Sequence, residues 1–107
     1  MTVRQQKLEE LMRQLAAQFV QIESSNVSLI TVTRCVMEEK LKHAIIFITV
    51  LPESEERHAL EFLKRKRSEF RSYVKSHART RVIPVVDFAI DIGEKTRQKI
   101  DELGNFR

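Results

Sequence analysis

Several residue types are scarce in this sequence, and each scarcity excludes a class of protein. Among its 107 residues the chain has one cysteine, Cys35, so an internal disulfide is impossible, and the three scattered histidines give no zinc-ligand spacing. The two glycines, Gly93 and Gly104, are isolated, which excludes a glycine-rich phosphate loop. No apolar run approaches the roughly 18 residues of a membrane span, and no signal-peptide core is present. We therefore expect a protein of the reducing cytoplasm, with no membrane contact and Cys35 as a buried thiol.

Groups that could perform catalysis are also few. The histidines, His43, His58 and His77, fall in separate predicted elements, and no serine or cysteine lies in a nucleophile motif. Asp87 and Asp91 would stand about 13 Å apart on one strand, too far for joint acid-base work. The sequence therefore predicts a protein that is not an enzyme and needs no cofactor or metal. A small hydrolase or transferase with an unrecognised site stays as an alternative, and a deep pocket with converging polar groups would favour it.

The positive charge of the chain is concentrated in one region. A length of 107 residues with 42% hydrophobic and 32% charged residues fits a single folded domain, residues 1–107. The net charge of +4 is modest, but between Lys64 and Arg81 the cations are interrupted by one acid, Glu69. Such a local excess favours a polyanion such as nucleic acid, although a merely solvated helix face explains the pattern equally well.

The amino-terminal half predicts one helix and two strands. Thr2 and Gln5 have the spacing of a capping box, and apolar residues recur with helical period from Leu8 to Ile22 until the turn-forming residues 24–26. Residues 29–37 and 44–51 are rich in β-branched types and are separated by a short polar break. This arrangement predicts an antiparallel hairpin.

The carboxy-terminal half predicts a pair of helices, a strand and a last helix. Pro52 turns the chain, and Ser54 should cap a helix that breaks near residues 66–68, followed by a second helix over 68–78. Residues 85–90 form a strand, and Gly93 should precede a final helix that ends at Gly104. The expected core positions of the helix pair are Leu60, Leu63, Phe70 and Val74.

This order predicts an α+β domain of two layers, in which helices cover one face of a three-stranded sheet. Ile45, Phe47 and Leu51 would lie on the opposite face of the second strand. That face is either covered by a loop or is a partly exposed patch. The patch supports an alternative function, a protein-interaction module that does not bind nucleic acid.

Three segments together resemble the ribosome-binding factor A family. Residues 84–91, PVVDFAID, fit its proline, x, aliphatic, x, phenylalanine, x, x, aspartate signature, with Arg81 at the preceding arginine position. Residues 70–72, FRS, are similar to its apolar-Arg-Ser step, and residues 41–48, LKHAIIFI, to its entry into the second strand. The resemblance extends from the first helix to Leu103.

The sequence departs from the family pattern at two places. Lys66-Arg67-Ser68 stands where the family has an Ala-x-Gly kink, so we expect a less sharply bent helix pair or one helix that runs on. Lys40 stands where an acidic residue is common, just before Leu41 in the hairpin connection.

The resemblance implies a type II KH-like fold of order α-β-β-α-α-β-α and a role in ribosome assembly. Members bind the 30S ribosomal subunit and its precursors, assist late maturation of 16S rRNA including processing of its 5′ end, and are not enzymes. We expect a monomer when free, which binds rRNA through backbone and shape contacts on a basic face. Arg81 has an equally good alternative to RNA binding, in which it pairs with Asp87 or Asp91 and holds the entry to the strand. The candidate RNA-binding residues are Lys64, Lys66, Arg67, Arg71, Lys75, Arg79 and Arg81.

Overall fold

The predicted order of helices and strands is confirmed. A computed structural model describes residues 2–23, 27–38, 40–80 and 83–104, the last four by backbone alone. Several boundaries differ from the prediction by one residue: the first strand ends at residue 38, the second begins at 43, and the third helix runs from 67 to 77. The elements are α1 (Val3–Glu23), β1 (Leu29–Glu38), β2 (His43–Leu51), a 3₁₀ turn (Glu53–Glu55), α2 (Glu56–Arg65), α3 (Arg67–His77), β3 (Val85–Ile90) and α4 (Ile92–Gly104).

The three strands form one mixed sheet in the order β1-β2-β3. β1 and β2 are the predicted antiparallel hairpin, with an irregularity between Val32 and Arg34 that shifts the register by one residue. β3 joins β2 in parallel and places Phe88 beside Ile46. The parallel pairing is possible because α2 and α3 supply the long crossover that it requires.

The core lies between one face of the sheet and the helices α1, α2 and α3. Phe88 on β3 and Phe70 on α3 are buried, with ring centroids 6.0 Å apart, and Phe70 in turn lies 5.3 Å from Phe19 on α1. Leu63 and Val74 are also fully buried, as predicted. The helical period of α1 ends before Ile22, whose side chain is 67% exposed and does not join the core.

Side chains of α1 bind the outer edge of β1. The amide of Gln5 donates to the Thr2 hydroxyl at 3.1 Å, the first half of the predicted capping box. The Gln5 side chain, however, donates to the carbonyl of Met37, and the Met37 amide donates to the Glu9 carboxylate at 2.8 Å. The backbone groups of Met37 on this edge of the sheet therefore have partners from α1.

A carboxylate also occupies the opposite edge. The amides of Val85 and Asp91 donate to β2 or to the residue before it. Successive amides of a strand point to opposite sides, so the amide of Phe88 faces away from β2. It donates instead to the Asp87 carboxylate at 2.8 Å.

The starts of α2 and α4 also differ from the prediction. Ser54 does not cap α2, because it lies within the 3₁₀ turn that precedes the helix, and no side chain caps the 3₁₀ turn or α2. The last helix begins at Ile92, so Gly93 lies inside its first turn. Asp91 ends the strand and starts this helix directly, because its carboxylate accepts the amide of Glu94 at 3.0 Å.

The hairpin connection contains two residues in the left-handed region. Lys40 has a φ of 56° and Leu41 a φ of 68°, values that a side chain with a Cβ atom rarely adopts. Successive positive φ values turn the chain in the sense that matches the twist of the strands. The turn is therefore formed without the glycine or asparagine that such turns prefer.

Polar contacts partly cover the outer face of the sheet. Ile45 and Phe47 are half-buried, and the Arg34 guanidinium lies 4.2 Å from the centroid of the Phe47 ring. The Thr33 hydroxyl oxygen lies 3.2 Å from the Phe47 carbonyl. Among the described residues, side chains of the neighbouring strand β1 therefore shield the apolar centre of this face.

Candidate nucleic-acid interface

The helix pair bends at Lys66, in the middle of the basic segment. Lys66 has φ −95° and ψ 9°, between the end of α2 and the start of α3. This region of backbone space is sparse but open to L-residues, so the bend forms without glycine. The Lys66 amide donates to Leu63 and its carbonyl accepts from Phe70, which keeps both helix ends hydrogen-bonded. The two helices therefore meet at a bend that contains no glycine, and they do not merge into one continuous helix.

Lys64 and Arg67 converge on one acid of β3. Their nitrogens lie 3.9 Å and 3.5 Å from the same oxygen of Asp87. All three side chains are about half exposed, at 43%, 48% and 44%. Ion pairs of this length and exposure contribute little to stability and exchange readily with other anions. The two cations are paired but remain accessible.

Lys66 points to the other side of the helix pair, toward α1. Its ammonium lies 3.3 Å from Glu69 and 4.0 Å from Glu23, and 5.7 Å from the centroid of the Phe62 ring. Two carboxylates surround this cation, so its charge is largely compensated. The structure therefore does not place Lys66 beside Lys64 and Arg67.

Arg71 binds the backbone that precedes β3. Its guanidinium donates to the carbonyls of Pro84 and Ile83, both at 3.0 Å. These two bonds join the FRS segment to the start of the PVVDFAID segment, so two parts of the sequence pattern contact each other. A structural role accounts for this arginine, and its contact with RNA stays a prediction.

Lys75 and Arg79 are exposed, and they differ from the cations near the bend in their contacts. Over the residues that the structure describes, no ion pair or hydrogen bond engages either side chain. Arg81 lies outside the described residues. Its predicted partners have other contacts, since Asp87 binds Lys64 and Arg67 while Asp91 binds Arg34 and Thr33. The assignment of Lys75, Arg79 and Arg81 to RNA binding stays a prediction.

Two cations that the sequence pattern did not indicate join Arg79. Arg4 and Lys7 of α1 line an open cleft of about 370 Å³ together with Arg79, and Leu8 and Leu11 form part of its wall. Both are exposed, and neither has an ion pair within the described part of the chain. Because they lie more than 70 residues before Arg79 in the sequence, only the antiparallel packing of α1 against α3 brings the three cations together.

The polar residues that could have taken part in catalysis lie in surroundings that give them structural roles. Asp91 is 3% exposed and holds α4 and β1, whereas Asp87 is exposed and paired. Burial and the nearby Glu9 raise the pKa of the Cys35 thiol to about 12, as expected for an unreactive cysteine. Among the residues described, no His, Cys, Asp and Glu cluster could hold a metal ion, and no helix has the length and apolarity to cross a membrane.

Comparison with known proteins settles the family. A family model described as ribosome-binding factor A matches residues 4–104. This chain belongs to the ribosome-binding factor A family. The ribosome-binding factor A of Thermomicrobium roseum is 33% identical over 91 residues, which cover 82% of this chain and 70% of that protein. That of Macrococcus caseolyticus is 27% identical over 110 residues and covers 96% of each chain. The family consists of non-catalytic assembly factors, so the predicted absence of enzymatic activity agrees with membership.

Solved structures of ribosome-binding factor A have the same fold. The crystal structure of the Thermus thermophilus protein aligns with a TM-score of 0.72 at 20% identity, over 80% of this chain and 94% of that one. A homology model of the Thermus thermophilus factor, fitted into a cryo-EM map of a 30S complex, aligns with a TM-score of 0.69 at 20% identity, over 78% and 90%. The predicted α+β fold is confirmed.

The family signature has a structural basis in this chain. Pro84 and Phe88 are buried, and Asp91 accepts hydrogen bonds from Thr33, Arg34 and Glu94. Pro84 also presents its carbonyl to Arg71. The signature of residues 84–91 therefore marks residues that hold β3 in place, and Arg71 of the FRS segment binds the same strand entry.

Proposed function

We propose that this protein binds the 30S ribosomal subunit and its precursors in the cytoplasm, and assists late maturation of 16S rRNA, including processing of the 5′ end. It acts without catalysis, as a monomeric RNA-binding domain. Family membership supports the ribosome as partner, and a 30S complex is known for a factor of the same fold.

The main support for an RNA contact is that some cations of the basic region are paired with acids and others are not. Within the described part of the chain, Lys75 and Arg79, together with Arg4 and Lys7, have no acidic partner along α3 and the facing part of α1. Lys64 and Arg67 are a second pair of accessible cations, on the side of the helix pair that faces β3, with one shared acid between them. Phosphates attract such a surface and displace counterions when they bind.

A rigid domain with this surface can stabilise one arrangement of an rRNA segment. Phosphate contacts fix position and orientation without reading the sequence, and shape and 2′-hydroxyl contacts distinguish RNA from DNA. Binding energy that is available only for the mature arrangement of the 5′ region would favour that arrangement over alternatives. No covalent step by the protein is required for such a role.

The test combines sedimentation with direct binding. We expect the protein to sediment with free small subunits and their precursors rather than with translating ribosomes, and its deletion to leave 16S rRNA with an unprocessed 5′ end. The double variant K75E/R79E should abolish binding to purified small subunits while its melting temperature stays that of the wild type. Binding that survives this change would refute the proposed surface.

The matched control is the double variant R57E/R97E. It changes the net charge by the same amount, but both arginines lie elsewhere, on α2 and α4, and their side chains are 90% and 72% exposed. We expect this control to bind small subunits as the wild type does. An equal loss in both double variants would indicate an effect of net charge alone.

A further inference from the structure

An exposed histidine at the end of α3 is held flat against a tyrosine. The rings of Tyr73 and His77 are stacked, with centroids 4.0 Å apart and an interplanar angle of 17°. Tyr73 is half-buried against Phe19, and its hydroxyl donates to Gln18 at 2.9 Å, so the lower ring is fixed. The other face of His77, an exposed residue, is turned toward solvent.

Hydrogen bonds also fix the orientation of the histidine ring. Nδ1 of His77 lies 2.9 Å from the carbonyl of Tyr73 and 2.9 Å from the hydroxyl of Ser76. Because the carbonyl can only accept, the tautomer with its hydrogen on Nδ1 satisfies this contact, and that tautomer leaves Nε2 as an acceptor. An aromatic ring that is already immobile loses little entropy when a second ring stacks on it.

His77 does not itself line the basic cleft, but one cation of the cleft lies close to it along the chain. Lys75 precedes His77 by two residues and Arg79 follows it by two. Arg79 lines the open cleft with Arg4 and Lys7. A flat aromatic face beside a phosphate-attracting groove is the combination by which proteins bind single-stranded nucleic acid, where the bases stack and the backbone follows the charges.

We propose that the outer face of His77 is a base-stacking site for single-stranded RNA, whose adjoining phosphates bind Arg79, Arg4 and Lys7. The site deepens the proposed function and rests on it, because it names an unpaired nucleotide as the group that this part of the surface recognises. Nε2 accepts a hydrogen bond from a 2′-hydroxyl or an exocyclic amine at the edge of the site. Recognition is tolerant of base identity, since every base has a π-face.

The experiment uses the whole protein and a short single-stranded oligoadenylate that carries one 2-aminopurine. Stacking on His77 quenches the 2-aminopurine fluorescence, and titration gives the affinity. We expect His77→Ala to lose the quenching and to weaken binding roughly 5- to 100-fold. His77→Phe, which keeps a flat ring, should retain the quenching and stay within about threefold of the wild-type affinity. His58→Ala, at an exposed histidine of α2, is the matched control and should leave both readouts unchanged.

The salt dependence separates stacking from charge. His77→Ala should leave the slope of log K against log salt unchanged, whereas R4A/R79A should reduce it by roughly 0.7 for each phosphate that is no longer bound. Equal binding by wild type and His77→Ala, or failure of the wild type to quench the oligonucleotide while it still binds small subunits, would overturn the stacking site and leave the proposed function intact. Failure of the wild type to bind small subunits would overturn both.

Discussion

Thr33 and Asp91 lie 58 residues apart in the sequence, and the Thr33 hydroxyl donates a 2.6 Å hydrogen bond to the Asp91 carboxylate. The same carboxylate accepts from Arg34 and from the amide of Glu94. One buried acid thus connects the irregular part of β1 to the end of β3 and the start of α4. This aspartate is the last residue of the family signature.

The charge of Asp91 should make stability depend on pH. Burial would raise the pKa of this carboxyl, but the hydrogen bonds from Thr33 and Glu94 and the nearby Arg34 together outweigh it, so the pKa lies below its ordinary value. A depressed pKa contributes stability above the unfolded-state value of about 3.9, and this contribution is lost as the pH falls through the folded-state pKa. We expect Asp91→Asn to lower the free energy of unfolding by about 1–2 kcal/mol at pH 7.

Urea denaturation at pH 7 and again at pH 3 measures this effect. The difference between wild type and Asp91→Asn should shrink at the lower pH, because the carboxyl of the unfolded chain takes up a proton there and the charge then favours the folded state less. Asp91→Ala, which also removes the acceptors for Thr33 and Glu94, should cost about 2–4 kcal/mol at pH 7. A gap between wild type and Asp91→Asn that is the same at both pH values would show that the charge is irrelevant.

Arg71 should contribute to stability as well as to surface charge. Arg71→Lys keeps the charge but loses the planar fork that reaches the carbonyls of Ile83 and Pro84, and should cost about 1 kcal/mol. Chemical denaturation gives this difference, and faster amide exchange over residues 83–86 should accompany it. Arg57→Lys, a change at an exposed arginine paired with Glu61, is the control and should leave the free energy of unfolding unchanged. Identical stability of Arg71→Lys and wild type would mean that the two carbonyl contacts do not hold the strand.

Phe88 should be among the most sensitive core positions. Its side chain is 1% exposed and meets Phe70 at 6.0 Å, so Phe88→Ala should cost about 3–5 kcal/mol. Val85→Ala on the same strand, where the side chain is 53% exposed, should change stability by less than about 0.5 kcal/mol. A double-mutant cycle with Phe70→Leu and Phe88→Leu should give a coupling of about 0.5–1.5 kcal/mol from the ring contact. Zero coupling would indicate that the two rings contribute by burial alone.

Lys40 should be a position where glycine stabilises the fold. A left-handed backbone costs an L-residue about 1–2 kcal/mol, and glycine removes that cost while adding about 0.5–1 kcal/mol of chain entropy to the unfolded state. Lys40→Gly should therefore raise the free energy of unfolding by up to about 1 kcal/mol. Thermal melting provides the measurement. Lys42→Gly, two residues further on, is the control and should destabilise, so a loss of stability in both variants would argue against a left-handed Lys40.

The pattern of apolar residues was sufficient to predict the elements and most of the core. Periodicity located α1 and the helix pair, because burial of one face dictates which residues can be polar, and the richness in β-branched residues located the hairpin. Local starts were harder to predict: Ser54 has the chemistry of a cap, but the turn after Pro52 places it inside a 3₁₀ segment. Likewise Asp91, and not Gly93, marks the start of α4, since a buried carboxylate can serve strand and helix together.

The candidate interface was predicted less completely, because sequence spacing does not show which cations meet acids. Lys64 and Lys66 are two residues apart, yet the bend sends one toward β3 and the other toward α1. Arg4 and Lys7 gave no signal, since their proximity to Arg79 depends on packing between distant helices. The helical spacing of Tyr73 and His77 could have indicated a ring contact, as residues four apart share a helix face.

The carboxylates at the two borders of the sheet bear on how copies of this protein meet. Glu9 holds the Met37 amide on one side and Asp87 holds the Phe88 amide on the other. A second chain that tried to lengthen the sheet would have to displace an acid at either border before it could form its own ladder. Strand addition between copies is thereby disfavoured at these two positions, and the sheet borders differ in this respect from the exposed cations of α3.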